Sequence, residues 1–140
     1  MTGVYFDTSA FMKLLIQEPG SVPAVQAWQA ADWVASSRLL YAEARAALAM
    51  ARRQGRLSNA QHASAKGALT DHWLDVHVIE VTEPVVQEAG DLADDQALRG
   101  FDAVHLASAL RAAIDVLITA DVEMIRAGGS LRLKVIDSRT

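Results

Sequence analysis

The sequence predicts an α/β fold, a five-stranded parallel sheet with helices on both faces. Three observations predict it. Val4-Tyr5-Phe6 is a short, unbroken run of β-prone apolar residues, which suits a strand buried on both sides. Similar short runs recur at Trp33-Val34-Ala35, Val76 to Val81, Val116-Leu117-Ile118-Thr119 and Leu131 to Ile136, with helical stretches between them. Acids follow two of the runs: Asp7 ends the first, and Asp121 stands just past the fourth. Open α/β sheets bind their ligands outside the carboxyl ends of the strands, where the winding direction reverses.

Each connecting element has its own signals. Thr8 or Ser9 can cap a helix from Ser9 to Gln17, closed by Glu18-Pro19-Gly20. Pro23 to Ala31 reads as a second helix, with the proline tolerated in its first turn. Ser36-Ser37 ends the second strand and caps a long helix from Arg38 to Gln54, which Gly55 terminates. Ser58 opens a helix to about Asp75, interrupted in pattern by Gly67. Thr82 or Glu83 starts a helix to about Leu98, with Pro84 in its first turn. Asp102 to Ala113 is helical, and Asp121 to Ala127 is a last helix ended by Gly128-Gly129. No repeat, low-complexity tract or linker divides the chain, so residues 1–140 are expected to form one domain.

The totals narrow the chemistry. There is no cysteine, which leaves neither disulfides nor thiolate zinc sites; any metal would be held by oxygen or imidazole. The formal charge is −4, from 13 basic and 17 acidic residues, which excludes a broadly basic nucleic-acid coat but not a local strip. No basic leader precedes the first apolar run, and no uncharged run reaches the length of a membrane span. The expectation is a cytoplasmic protein without membrane contact.

Four acids stand out. On a helix, the neighbours of Glu43 at three and four positions are Leu39, Leu40, Ala46 and Ala47, so it falls on a stripe that should face inward. A buried carboxylate without a partner is costly, so Glu43 needs either an arginine or a metal ion. Asp102, in Gly100-Phe101-Asp102-Ala103-Val104-His105, and Asp121 both stand where an aspartate could simply cap a helix. If the strand order is 3-2-1-4-5, however, Asp7 and Asp121 end adjacent strands at the switch point, and the helices of Glu43 and Asp102 can close the same crevice. Crowded carboxylates repel one another, and hard divalent ions such as magnesium or manganese remove that conflict. Such a pocket suits metal-assisted phosphodiester hydrolysis.

Asp7-Thr8-Ser9, Glu43 on the long helix, Phe101-Asp102-Ala103-Val104-His105-Leu106-Ala107-Ser108-Ala109 and Thr119-Ala120-Asp121 together resemble a PIN-domain ribonuclease, in order and over essentially the whole chain. More narrowly, the sequence is similar to the VapC-type toxins of toxin–antitoxin pairs. The resemblance implies a three-layer α/β/α sandwich and magnesium- or manganese-dependent endonucleolytic cleavage of RNA. It also implies Asp7 and Asp102 as metal ligands, Glu43 as a ligand or orienter of water, and Asp121 as the fourth acid. Thr8, Ser9 and Thr119 would support that shell, and the expected partners are RNA, a small antitoxin and a second copy of the chain.

Other features read more plainly. Arg38, Arg45 and Arg52 recur every seven residues and form either a strip tracking RNA beside the acids, an antitoxin contact, or a solvated face. His105 reads as a hydrogen-bonded helix histidine rather than a ligand, and Trp28, Trp33 and Trp73 as packing residues. Two other classes compete: a PIN nuclease acting on DNA or structured nucleic acid, and a regulatory module of receiver type. The receiver pattern lacks its second acid at the first strand end and its strand-end lysine.

Overall fold

The computed structural model describes residues 2–140. Its sheet comprises β1 (Gly3–Phe6), β2 (Trp33–Ser37), β3 (Val76–Ile79), β4 (Val116–Thr119) and β5 (Lys134–Asp137). All four pairings are parallel, in the order β3-β2-β1-β4-β5. The helices are α1 (Thr8–Leu15), α2 (Ser21–Ala30), α3 (Leu39–Arg53), α4 (Asn59–Trp73), α5 (Glu83–Gln96), α6 (Gly100–Arg111) and α7 (Val122–Ser130).

Strand alternation divides the core in two. Val4, Phe6 and Ile118 pack with Phe11, Ala24, Leu40 and Leu69 from α1 to α4 on one face. Tyr5 and Leu117 pack with Ala89, Leu106, Met124 and Ala127 from α5 to α7 on the other. The central β1 is therefore apolar at every position it buries, whereas the edge strands β3 and β5 are only partly covered. Each fully buried large side chain here contributes about 1.5–3 kcal/mol. No helix among the described residues is long and apolar enough to cross a membrane.

Several boundaries differ from the sequence reading, each for a local reason. Asp7 itself caps α1, so the helix starts at Thr8, and neither Thr8 nor Ser9 is the cap. Ser36 and Ser37 are the last two residues of β2, fully buried and paired with Val78 and Ile79, and Ser37 Oγ accepts from the Leu39 N–H at 3.1 Å where α3 starts. Gly67 does not break α4, which the Ser58–Gln61 capping box starts firmly. α6 begins at Gly100, so Asp102 is its third residue and not its cap. α7 runs through Gly128-Gly129 instead of stopping there. Gly128 is required by close packing: a Cβ would stand 2.9 Å from Val135 Cγ2 and 3.1 Å from Leu117 Cδ2. The longer α7 uses up Leu131, and Arg132 turns the chain at φ 64°, so β5 starts at Lys134.

Candidate metal centre

The site forms where β1 and β4 end side by side. Asp7 leaves β1 in extended backbone and turns into α1, its Oδ1 accepting from the Ala10 N–H at 3.0 Å and the Ser9 hydroxyl at 2.7 Å. Its Oδ2 accepts from Thr119 Oγ1 at 2.5 Å. Helix cap and site residue are thus the same carboxylate. Burial pushes its pKa up, against the charge of His105 and the donors Thr119, Ala10 and Ser9.

Thr119, the last residue of β4, links two acids. Its hydroxyl donates to Asp7 and accepts from the Asp121 N–H at 3.0 Å. Ser9 Oγ closes the same knot by accepting from the Ala120 N–H at 2.9 Å. Asp121 caps α7 through Oδ1, which accepts from Glu123 and Met124 N–H groups. Its other oxygen is turned towards the site.

Glu43 reaches this region from α3. The buried stripe of that helix is Leu40, Ala44, Leu48 and Ala51, and Glu43 lies on its border with 27% of its side chain exposed. It has a partner, as its place on the helix required, but that partner is not an arginine. Oε1 accepts from Thr8 Oγ1 at 2.7 Å and from His105 Nε2 at 2.7 Å. Burial raises the Glu43 pKa, but the hydrogen bond and charge of His105, with Thr8 and Arg99, outweigh it and hold the carboxyl below its usual range.

His105 lies one turn beyond Asp102 on α6 and is buried. Its Nδ1 is 2.7 Å from the Tyr5 hydroxyl, which burial keeps protonated by pushing its pKa far up. With Nδ1 held by the Tyr5 hydroxyl, the ring presents Nε2 to Glu43. Sequence reasoning recognised a hydrogen-bonded histidine there but missed its task of orienting Glu43. The signal was available: strand alternation turns Tyr5 to the α6 side of the sheet, and a buried histidine requires partners.

Asp102 completes the set. Its Oδ2 accepts from Arg99 Nε at 2.9 Å, and Arg99 Nη2 stands 3.4 Å from Asp121 Oδ2. A guanidinium therefore bridges the two acids. Glu43, Arg99 and Asp102 face a cavity of about 590 Å³ whose far wall is apolar, with Val86, Ala89 and Ala93 of α5.

Thr119 thus links Asp7 to Asp121, Arg99 links Asp121 to Asp102, and Glu43, held by Thr8 and His105, lines the same cavity as Asp102. Among the described residues no three His, Asp or Glu side chains already form a ligand cluster. The donor set nevertheless fits a hard divalent ion: oxygen donors only, an arginine standing in as cation, and hydroxyls to hold the carboxylates. The arginine strip does not join this site. Arg38 is forked onto Glu80, with Nε 3.1 Å from Oε1 and 3.2 Å from Oε2. Arg45 and Arg52 project roughly half a turn round α3 from Glu43, at about 100° per residue, and their charges depress His62 on α4 after its burial does. The tryptophans are packing residues: Trp28 sits edge-on to Phe6, Phe11 and His72.

Residues 4–130 match the PIN domain family. Ribonuclease VapC45 of Mycobacterium tuberculosis is 49% identical over 117 residues, 84% of this chain and 81% of that protein. Among solved structures, PAE2754 from Pyrobaculum aerophilum superposes with a TM-score of 0.74 at 22% identity, over 99% of this chain and 85% of the other. A toxin–antitoxin complex from Klebsiella pneumoniae gives 0.69 at 18% identity, over 96% and 97% of the two chains.

Proposed function

Since the chain belongs to the PIN domain family and, within it, to the VapC ribonucleases, we propose that it is a divalent-metal-dependent endoribonuclease, the toxin of a toxin–antitoxin pair acting in the cytoplasm. The observation that supports the reading is that Asp7, Glu43, Asp102 and Asp121 are each held by a named donor, with Thr119 tying Asp7 to Asp121 and Arg99 tying Asp121 to Asp102. The antitoxin partner is supported by the likeness to a toxin–antitoxin complex.

In this reading Asp7, Asp102 and Asp121 hold magnesium or manganese, with Glu43 a further ligand or the acceptor that orients water. A divalent ion there supplies Lewis acidity towards water and phosphate oxygens. The protein's own part is orientation. Thr119 and Ser9 fix the Asp7 carboxyl by donating to it and oppose the burial that raises its pKa. His105 and Thr8 donate to Glu43 Oε1 and leave Oε2 free to accept a proton from water. The cavity beside Glu43 and Asp102 gives a nucleotide room to lie against the apolar wall of α5.

The test is incubation of the purified chain with total RNA, with and without magnesium or manganese, followed by mapping of the new ends. Cleavage is expected only with metal, and Asp7→Asn and Asp102→Asn are expected to lower it at least 100-fold, by the scale of lost electrostatic stabilisation, while the circular dichroism spectrum is kept. Full activity in either variant or in chelator removes this assignment, and cleavage of DNA instead of RNA favours the competing nuclease reading.

A further inference from the structure

We propose that the Arg99 guanidinium is a displaceable counter-ion, competing with the divalent ion for Asp102 and Asp121. The inference rests on the metal-dependent reading above. The two carboxylates are held in place. Asp121 is pinned by the Glu123 and Met124 N–H groups at 2.8 and 3.2 Å, and Asp102 is set within the first turn of α6. Their side chains are 26% and 19% exposed, whereas that of Arg99 is 81% exposed. The acids are therefore fixed and the cation is a long solvated arm that can leave without any repacking.

Charge decides the direction of exchange. One guanidinium charge faces Asp102, Asp121 and Glu43, so these acids remain under-neutralised and a doubly charged ion is the better counter-ion. Until it arrives, Arg99 keeps two acids together that would otherwise repel. The consequence is a threshold. The site loads when free divalent ion outcompetes Arg99, and the released guanidinium stays at the mouth of the cavity, where an RNA phosphate arrives.

The experiment is calorimetric titration of Mn2+ into the purified full chain, as wild type, Arg99→Gln and Arg126→Gln. Arg126 pairs with Glu123 at 3.0 Å, so its loss removes the same charge close by without touching Asp102 or Asp121. Exposed pairs are individually weak, so removal of two is expected to tighten Mn2+ binding about tenfold in Arg99→Gln, with Arg126→Gln within about twofold of wild type. Thermal melting checks that both variants fold. Unchanged or weaker binding in Arg99→Gln overturns the inference, as does an equal gain in both variants. If neither wild type nor Arg99→Gln binds Mn2+, the metal-dependent reading itself fails.

Discussion

His105 is where the two sides of the site meet, Tyr5 from the sheet on one nitrogen and Glu43 from α3 on the other. Its removal is a clean test, because burial raises the Glu43 pKa and His105 leads the contacts that lower it. In His105→Leu, carboxyl-carbon NMR is expected to find Glu43 titrating above the usual carboxylate range. Denaturant melts should show a loss of about 1–3 kcal/mol, since the buried Tyr5 hydroxyl loses its bond to His105 Nδ1. A Glu43 pKa that stays depressed would show that His105 does not hold it. The two acids also act on stability with opposite sign. The depressed Glu43 stabilises the fold above the ordinary carboxylate pKa, and that contribution disappears as pH falls through its own. Asp7, raised by burial, favours the native state most below the ordinary carboxylate pKa, and this is lost as pH rises through its native value. At residue scale the acids were legible from sequence because each stands beside a recognisable element end or helix stripe. Their partners were less so: Arg99 is three positions from Asp102 but 22 from Asp121, and His105 is 62 from Glu43.

Elements deliver these side chains, and the accuracy of delivery depends on where helices start. The strands and the number of helices could be read from apolar runs and punctuation, because burial on both faces leaves a strong pattern in β1 and β4, whereas the strand order entered only as a condition and with the family resemblance. Helix ends were harder. Aspartate and glycine signal caps and stops, yet Asp102 lies inside α6 and Gly128 inside α7, for reasons set by what packs against them. Gly128 lets α7 lie close over β4 and β5, and α7 in turn carries Asp121 at its start. Gly128→Ala forces a Cβ to 2.9 Å from Val135 Cγ2 and 3.1 Å from Leu117 Cδ2. The expected effect is a loss of about 1–3 kcal/mol from overpacking, measured by urea unfolding. A neutral or stabilising result would show that the β5 side yields freely, and that helix propensity, which favours alanine, decides at this position.

Across the whole molecule, the free arginines of α3 and the acids of the site do not share one surface. The formal charge is −4, yet Arg45 and Arg52 lie on the α4 side of α3, facing away from Glu43. Arg45 also donates to Tyr41 at 2.9 Å and lies over its ring, so it is positioned rather than loose. Arg99 lines the cavity beside the acids, whereas Arg45 and Arg52 do not. Their separation predicts that Arg45→Ala with Arg52→Ala leaves metal-dependent cleavage of RNA within about threefold of wild type. A phosphate contact removed would lower the slope of log affinity against log salt by about 0.7 for single strands, so the double variant is expected to keep the wild-type slope. Fluorescence anisotropy of a labelled single-stranded RNA, titrated at several salt concentrations in the presence of calcium in place of the catalytic ion, checks this. A slope reduced by about 1.4, twice that single-contact value, would show that RNA wraps from the acids to the α4 side. An unchanged slope would show that bound RNA does not reach the α4 side of α3.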